Sequence, residues 1–294
     1  MNLKNQADYI IDLEKHLISV DILDLTRRIK EFRSLNFRKL NDEELAEAIL
    51  RVLLYNNSFM YFPNVKSFPK GTNFFRVRKL SGSVIPIANF KTYSDLWEPP
   101  KEVLVNYGRL NKPNESLLYT SFEPEVAIKE THISENDFYA LIKYTAKDIV
   151  KVNFIGDDYD YNALGLFNTQ AITVHEIYNN FLRDEFSRDV GQGTEFLYRI
   201  SERIAKDYFD LPPREMQDAW GYGSVYDKNK YNVCFRPEIA HDLLEVKGAV
   251  ICKKDATDSI HVKCIALCCE SGEIQYFKLG SVEQKIFFPE IIVG

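Results

Sequence analysis

The stretch LLYTSFEPEVAIKE, residues 117–130, predicts a short apolar strand, a turn and the start of a helix. Glu123-Pro124 marks the helix start, because proline fits the first turn of a helix, where its missing N–H is not needed. Helical spacing then places Glu130 on the same side as Val126 and Ala127. A carboxylate on the apolar side of a helix faces a core or a cleft, so Glu130 is the first candidate for a functional residue.

Composition limits the classes of protein. The 294 residues are 45% hydrophobic, which is enough to bury the core of one large domain or two modest ones. A formal net charge of −6 argues against a general polyanion binder, so no nucleic-acid partner is expected. A local basic cleft for one phosphate-bearing ligand stays compatible with this charge.

The sequence shows neither a signal peptide nor a membrane span. Charges interrupt the apolar residues of the first 17 positions, and no later apolar run has the length of a span. We therefore expect a soluble cytoplasmic protein with no membrane partner. The five cysteines are odd in number and lie in β-rich sequence, which favours reduced core thiols over disulfides. Their spacing matches no standard zinc pattern, so no metal is expected.

The first third of the chain contains a helical region. Asn41 followed by Glu44 is a capping-box pattern, and apolar residues then recur at helical spacing. Pro63, Pro69 and Gly71 indicate a boundary. We predict a helical N-terminal region over 1–70, interpreted as a structural or dimerising cap, and a second domain over 71–294.

The second domain is predicted to be rich in strands. Alternation places Phe75 and Val77 on one face of a strand and Arg76 and Arg78 on the other. The sequence after Trp220 is mostly strand-like. Helices first and strands later predict the α+β class.

Several residues have the chemistry of a nucleotide site. Arginines such as Arg76 and Arg109 bind phosphates through paired hydrogen bonds, and Glu130 can bind ribose hydroxyls and stabilise positive charge on the sugar. Each of these residues also has a purely structural interpretation. Arg76 is then a solvent-facing arginine of a strand, and Arg109 braces a loop. Glu130 is a carboxylate that reaches solvent at a helix end, and Ser224 belongs to a turn. Nearby aromatic residues either stack on a base or only pack: Phe75, Tyr107, Tyr119 and Tyr222.

The order of these pieces over residues 73–252 resembles the RES domain family, named for a conserved arginine, glutamate and serine. The family pattern runs from a strand arginine through a Gly-Arg-Trp-Asn-like loop, a tyrosine-bearing strand and a helix with Ala and Glu to a late serine before a Tyr-Asn strand. The matching segments are Phe75-Arg76-Val77, Tyr107-Gly108-Arg109-Leu110-Asn111, Leu118-Tyr119-Thr120-Ser121 with Ala127 and Glu130, and Tyr222-Gly223-Ser224-Val225-Tyr226 with Tyr231-Asn232.

The resemblance implies an ADP-ribosyltransferase-like split β-sheet core that binds NAD as a substrate and uses no cofactor. Family members act as toxins of toxin–antitoxin pairs and destroy NAD at the nicotinamide–ribose bond by hydrolysis or phosphorolysis, and some relatives transfer ADP-ribose to a protein. Arg76, Glu130 and Ser224 correspond to the family triad. The implied substrate-binding residues are Tyr107, Gly108, Arg109, Asn111, Tyr119 and Asn232.

The chain also departs from the family pattern. Leu110 replaces the usual tryptophan, the segment from Arg76 to Gly108 is long, and helices precede the domain while a β extension follows it. These additions favour a larger effector, for example one that responds to phage infection. The expected partners are a neutralising antitoxin or regulator and a second copy bound through the N-terminal helices. Two alternatives stay open: a protein ADP-ribosyltransferase, and a non-catalytic module that binds a nucleotide or a partner.

Overall fold

The chain is a mixed α and β protein, in agreement with the coarse class predicted from the sequence. The structure is a computed structural model that describes residues 3–59, 63–81, 84–85, 87, 89–211, 214–227, 229–257 and 259–292. The helices are α1 Leu3–Ile18, α2 Ile22–Arg33, α3 Asp42–Leu53, α4 Pro124–Glu130, α5 Tyr161–Leu164, α6 Thr169–Phe186, α7 Tyr198–Asp207, α8 Pro237–Leu243 and α9 Val282–Phe287. The strands are β1 Leu54–Tyr55, β2 Ser58–Phe59, β3 Val65–Phe68, β4 Asn73–Leu80, β5 Leu118–Ser121, β6 Phe138–Ala146, β7 Val150–Ile155, β8 Ala219–Gly223, β9 Tyr231–Phe235, β10 Leu244–Lys254, β11 Ile260–Cys268 and β12 Ile274–Phe277.

Two compact units divide the chain, and each is assembled from separate segments. The first contains Met1–Val65, Asn106–Lys112 and Asn153–Arg214, and the second contains the remaining segments. The predicted first domain, residues 1–70, contains only the N-terminal part of this unit. The two later segments of the same unit lie beyond residue 70.

The first unit is helical. Helices α1, α2 and α3 pack against α6 and α7, with apolar side chains such as Phe32 and Ile49 facing inward. The predicted cap of α3 is confirmed: Asn41 accepts a hydrogen bond from the Glu44 backbone, and the Glu44 carboxylate accepts one from the Asn41 backbone. Of the helices in the part of the chain that the structure describes, none combines the length and the apolar character needed to cross a bilayer.

Ten strands form one sheet, and all or part of each strand lies in the second unit. The strand order is β12-β11-β10-β6-β4-β5-β9-β8-β7-β3. Neighbouring strands from β12 through β8 run antiparallel. Strand β5, which belongs to the 117–130 stretch, thus lies between β4 and β9. The three strands come from distant parts of the chain, and their side chains meet on the faces of the sheet.

Helix α4 packs against that face of the sheet. Ala127 belongs to an apolar cluster that also contains Val77, Tyr139 and Val250, from β4, β6 and β10. The predicted helix start is confirmed, since Glu123 is the residue before the first turn and Pro124 opens it. Burial of the Val126 and Ala127 side orients α4 and so determines where Glu130 points.

Candidate active site around Glu130

One oxygen of the Glu130 carboxylate is held by three donors. Glu130 Oε1 accepts hydrogen bonds from Ser224 Oγ at 2.6 Å, Asn232 Nδ2 at 3.0 Å and the Val225 backbone N–H at 3.2 Å. Hydrogen bonds to an ionised carboxylate are stronger than bonds between neutral groups. The three donors therefore fix the position of this side chain, which the sequence predicted on the inward side of the helix.

The other oxygen of Glu130, Oε2, differs from Oε1 in its contacts. Among the residues that the structure describes, no donor lies within hydrogen-bonding distance of Oε2, and the side chain is only partly buried. An ionised carboxylate oxygen has two or more acceptor positions. The geometry thus presents a rigidly held carboxylate with one oxygen able to accept hydrogen bonds from hydroxyl groups.

The sheet orients the Asn232 side chain toward Glu130. Asn232 of β9 is the direct partner of Ser121 in β5, and Ser121 Oγ donates to Asn232 Oδ1 at 2.6 Å. Because the amide oxygen is engaged by Ser121, the amide nitrogen faces Glu130. Both Ser121 and Asn232 are buried, so this chain of hydrogen bonds is shielded from water.

The loop 224–230 carries Ser224 and is attached at both ends of α4. The Ser224 backbone N–H donates to the Lys230 carbonyl at 2.8 Å. Lys230 Nζ then pairs with Glu123, just before α4, at 2.9 Å, and this hydrogen bond raises the pKa of Lys230. Beyond the other end of α4, Tyr226 Oη lies 3.0 Å from His132 Nδ1. The contacts of Lys230 and Tyr226 with residues at the two ends of α4 therefore help to keep Ser224 against Glu130.

Arg76, the third residue of the predicted triad, makes different contacts. Its guanidinium donates to the Trp97 carbonyl at 2.6 Å. Strand alternation places Arg76 on the face opposite Phe75 and Val77, and the Val77 face is the one that packs with Ala127 of α4. The structure thus brings Glu130 and Ser224 together, while Arg76 points to the other face of the sheet.

Arg109 lies in the first unit and is buried. Its guanidinium donates to the carbonyls of Phe186 and Arg188 and lies 5.1 Å from the centre of the Tyr198 ring. The adjacent Leu110 is completely buried. These contacts are those of a loop brace, which is the structural interpretation of Arg109.

The remaining predicted binding residues fall into two groups. Gly108 and Asn111 close the Arg109 loop through a backbone hydrogen bond of 3.0 Å, and Tyr107 is half-buried in the same segment. Tyr119 is half-buried in β5, two residues before Ser121, so it lies on the sheet face of Ser121 and Asn232. Two of the predicted binding residues, Tyr119 and Asn232, therefore lie on the same face of the sheet.

Sequence reasoning did not find several residues that support Glu130. These are Ser121, the backbone N–H of Val225, and the pairs Tyr226–His132 and Lys230–Glu123. Each pair joins residues that are about a hundred positions apart in the chain. The available signal was the Tyr-Asn strand after the late serine, which had singled out Asn232.

No group of three or more potential metal ligands comes together among the described residues. Comparisons of the chain with family models, with curated proteins and with solved structures found no match.

Proposed function

We propose that this chain is an NAD-consuming enzyme of the RES type that cleaves the nicotinamide–ribose bond, as an NAD glycohydrolase or an NAD phosphorylase. The observation that carries the proposal is the contact between Glu130 and Ser224. These two residues of the family signature are 94 positions apart, and their side chains form a 2.6 Å hydrogen bond. The proposal includes an ADP-ribosyltransferase-like fold and a role as a toxin or phage-defence effector.

The chemistry assigned to Glu130 follows from its two oxygens. Oε1 is fixed by protein donors, and Oε2 would accept hydrogen bonds from the hydroxyls of the nicotinamide ribose. As the bond from the ribose carbon to nitrogen breaks, its electron pair stays on nitrogen and nicotinamide departs as a neutral molecule. The positive charge that develops on the ribose ring is stabilised by the nearby carboxylate.

Ser224 and Asn232 are assigned positioning roles. Both donate to Oε1, so they hold the carboxylate in place and leave Oε2 toward the ribose. Tyr119 is proposed to contact the substrate, because it shares the sheet face of Asn232. Water as acceptor would yield ADP-ribose, phosphate would yield ADP-ribose 1″-phosphate, and a protein side chain would yield an ADP-ribosylated protein.

The test is product analysis with purified protein and NAD, with and without phosphate and with a protein acceptor. We expect nicotinamide release, and we expect Glu130→Gln to reduce it about 100-fold or more, because charge stabilisation of a transition state is worth that much. Glu125→Gln is the matched control, since Glu125 is an exposed glutamate of the same helix that is not a hydrogen-bond partner of Glu130. Intact NAD with every acceptor, together with equal toxicity of wild type and Glu130→Gln in cells, would refute the proposal.

The second candidate is a module that binds a nucleotide without turnover, and the position of Arg76 favours it. The family resemblance implies that Arg76 binds a phosphate of the substrate. Its guanidinium instead donates to the Trp97 carbonyl, and this contact does not support phosphate binding. Calorimetry with NAD and ADP-ribose separates the candidates. Binding without nicotinamide release, unchanged by Glu130→Gln, is the expected result for the module.

A further inference from the structure

A mostly apolar pocket of about 260 Å³ lies on the sheet face that α4 covers. Its floor is formed by side chains of β4, β6, β10 and β11. Its walls come from Pro124 and Ile128 of α4 and from the segment after α9. Leu141, Val250 and Val262 are among the floor residues.

The pocket is a partly open apolar cleft with room for a small molecule. An apolar cavity of about 150 Å³ is already large enough to hold benzene. Water gains few hydrogen bonds from walls of this kind. The apolar body of a small molecule is therefore the occupant that these walls suit best.

The deep part of the pocket is uncharged. The Tyr139 and Cys252 side chains line it and are buried. Burial raises the pKa of Tyr139 and raises the pKa of the Cys252 thiol to about 12, so both groups stay neutral at physiological pH. A charged group of a ligand would be disfavoured at this end.

The open part of the pocket contains one ion pair. Lys143 Nζ lies 2.9 Å from Glu290 Oε1, with 16% of the Lys143 side chain and 52% of the Glu290 side chain exposed. Lys143 projects from the sheet, whereas Glu290 belongs to the short segment after α9. A carboxylate from the chain itself thus occupies the position where a carboxylate of a ligand would meet Lys143.

We propose that this pocket binds a medium-chain fatty acid, with the hydrocarbon chain on the apolar floor and the carboxylate on Lys143 in place of Glu290. Both members of the ion pair line the pocket, but they differ in how firmly they are placed. Lys143 is on a central strand and is mostly buried, whereas Glu290 is half exposed on the segment after α9, so a ligand carboxylate can replace Glu290 on Lys143. The site is separate from the Glu130 hydrogen bonds, and the proposal does not depend on NAD chemistry.

The test is calorimetry of the full chain with octanoate, octanol and octylamine. We expect octanoate to bind most tightly and octylamine not to bind. Lys143→Gln should weaken octanoate at least tenfold and leave octanol unchanged, whereas Glu290→Gln should strengthen octanoate because the competing carboxylate is gone. Lys79→Gln is the matched control, since Lys79 is an ion-paired lysine of the neighbouring β4 that does not line the pocket.

A second variant keeps the test informative if Lys143→Gln is unstable. Val262→Phe adds volume to the pocket from β11 and should abolish binding of both octanoate and octanol. Failure of octanoate to bind the wild type, equal binding of octanoate and octylamine, or full octanoate binding by Lys143→Gln would each overturn the proposal.

Discussion

At the scale of single residues, the notable feature is how many groups serve one carboxylate oxygen. Ser224 is 1% exposed, and its hydroxyl both donates to Glu130 and accepts from the Tyr226 backbone N–H at 3.1 Å. A buried polar group of this kind costs free energy when its partner is removed. Ser224 therefore combines a positioning role at Glu130 with a role in holding the loop.

Ser224→Ala is expected to lower the free energy of unfolding by about 1–3 kcal/mol, because two hydrogen bonds are lost at a buried position. Under the proposed function, nicotinamide release should fall as well, since Glu130 loses one of its three donors. Urea unfolding and the product assay measure the two effects. Ser58→Ala, at an exposed position, is the control and should change neither. An unchanged Ser224→Ala variant would contradict the assigned contact.

His175 of α6 provides a pH-dependent prediction. Burial lowers its pKa from the ordinary 6.5 to about 3. Between these values the folded state binds fewer protons than the unfolded state. The free energy of unfolding should therefore fall as the pH falls through this range, by up to about 1.4 kcal/mol per unit.

His175→Gln tests this, because glutamine still offers an acceptor to the Tyr161 hydroxyl, which lies 2.9 Å from His175 Nδ1. Urea unfolding from pH 4.5 to 7.5 should give a flatter curve for the variant than for the wild type. Parallel curves for the two proteins would show that the imidazole does not titrate as argued.

At the scale of elements, local sequence determined the ends of helices well. The capping box of α3 was readable from Asn41 and Glu44 because both partners lie within one helical turn. The start of α4 was readable from Pro124 for the same reason. By contrast, the attachment of loop 224–230 to α4 depends on strand order, which local sequence does not encode.

Asn41→Ala should lower the free energy of unfolding by about 1 kcal/mol, since one orphan N–H of α3 loses its acceptor. Asn36→Ala is a matched control, because Asn36 is an exposed asparagine in the connection between α2 and α3. Chemical denaturation of the two variants beside the wild type measures the difference. Equal stability of both variants would mean that the cap contributes nothing.

At the scale of the whole molecule, the chain contains five free thiols in distinct surroundings. Cys234, Cys252 and Cys264 are buried, whereas Cys268 and Cys269 are partly exposed. A hydrogen bond with Ser271 lowers the pKa of Cys269, and burial raises the pKa of Cys268. The thiolate is the reactive form, so Cys269 should be the most reactive of the five.

An aromatic disulfide reagent that releases a coloured thiol should therefore modify one cysteine rapidly and a second slowly in the native protein. All five should react after unfolding. Cys269→Ser should remove the rapid phase, while Cys264→Ser, the buried control, should leave it intact. More than two reactive thiols in the folded protein would contradict the burial of the other three.

The sequence by itself determined the mixed class, the helical start, the cap of α3, the alternation of β4 and the inward position of Glu130. These features depend on neighbours within a few positions, and periodicity exposes them. It also selected Ser224 and Asn232 through an ordered pattern, without showing that they meet Glu130. Only the tertiary structure decided that contact, the Ser121 bridge and the placement of Arg76 opposite α4. Those outcomes depend on strand order and register, because pairing across about a hundred residues leaves no local trace in the sequence.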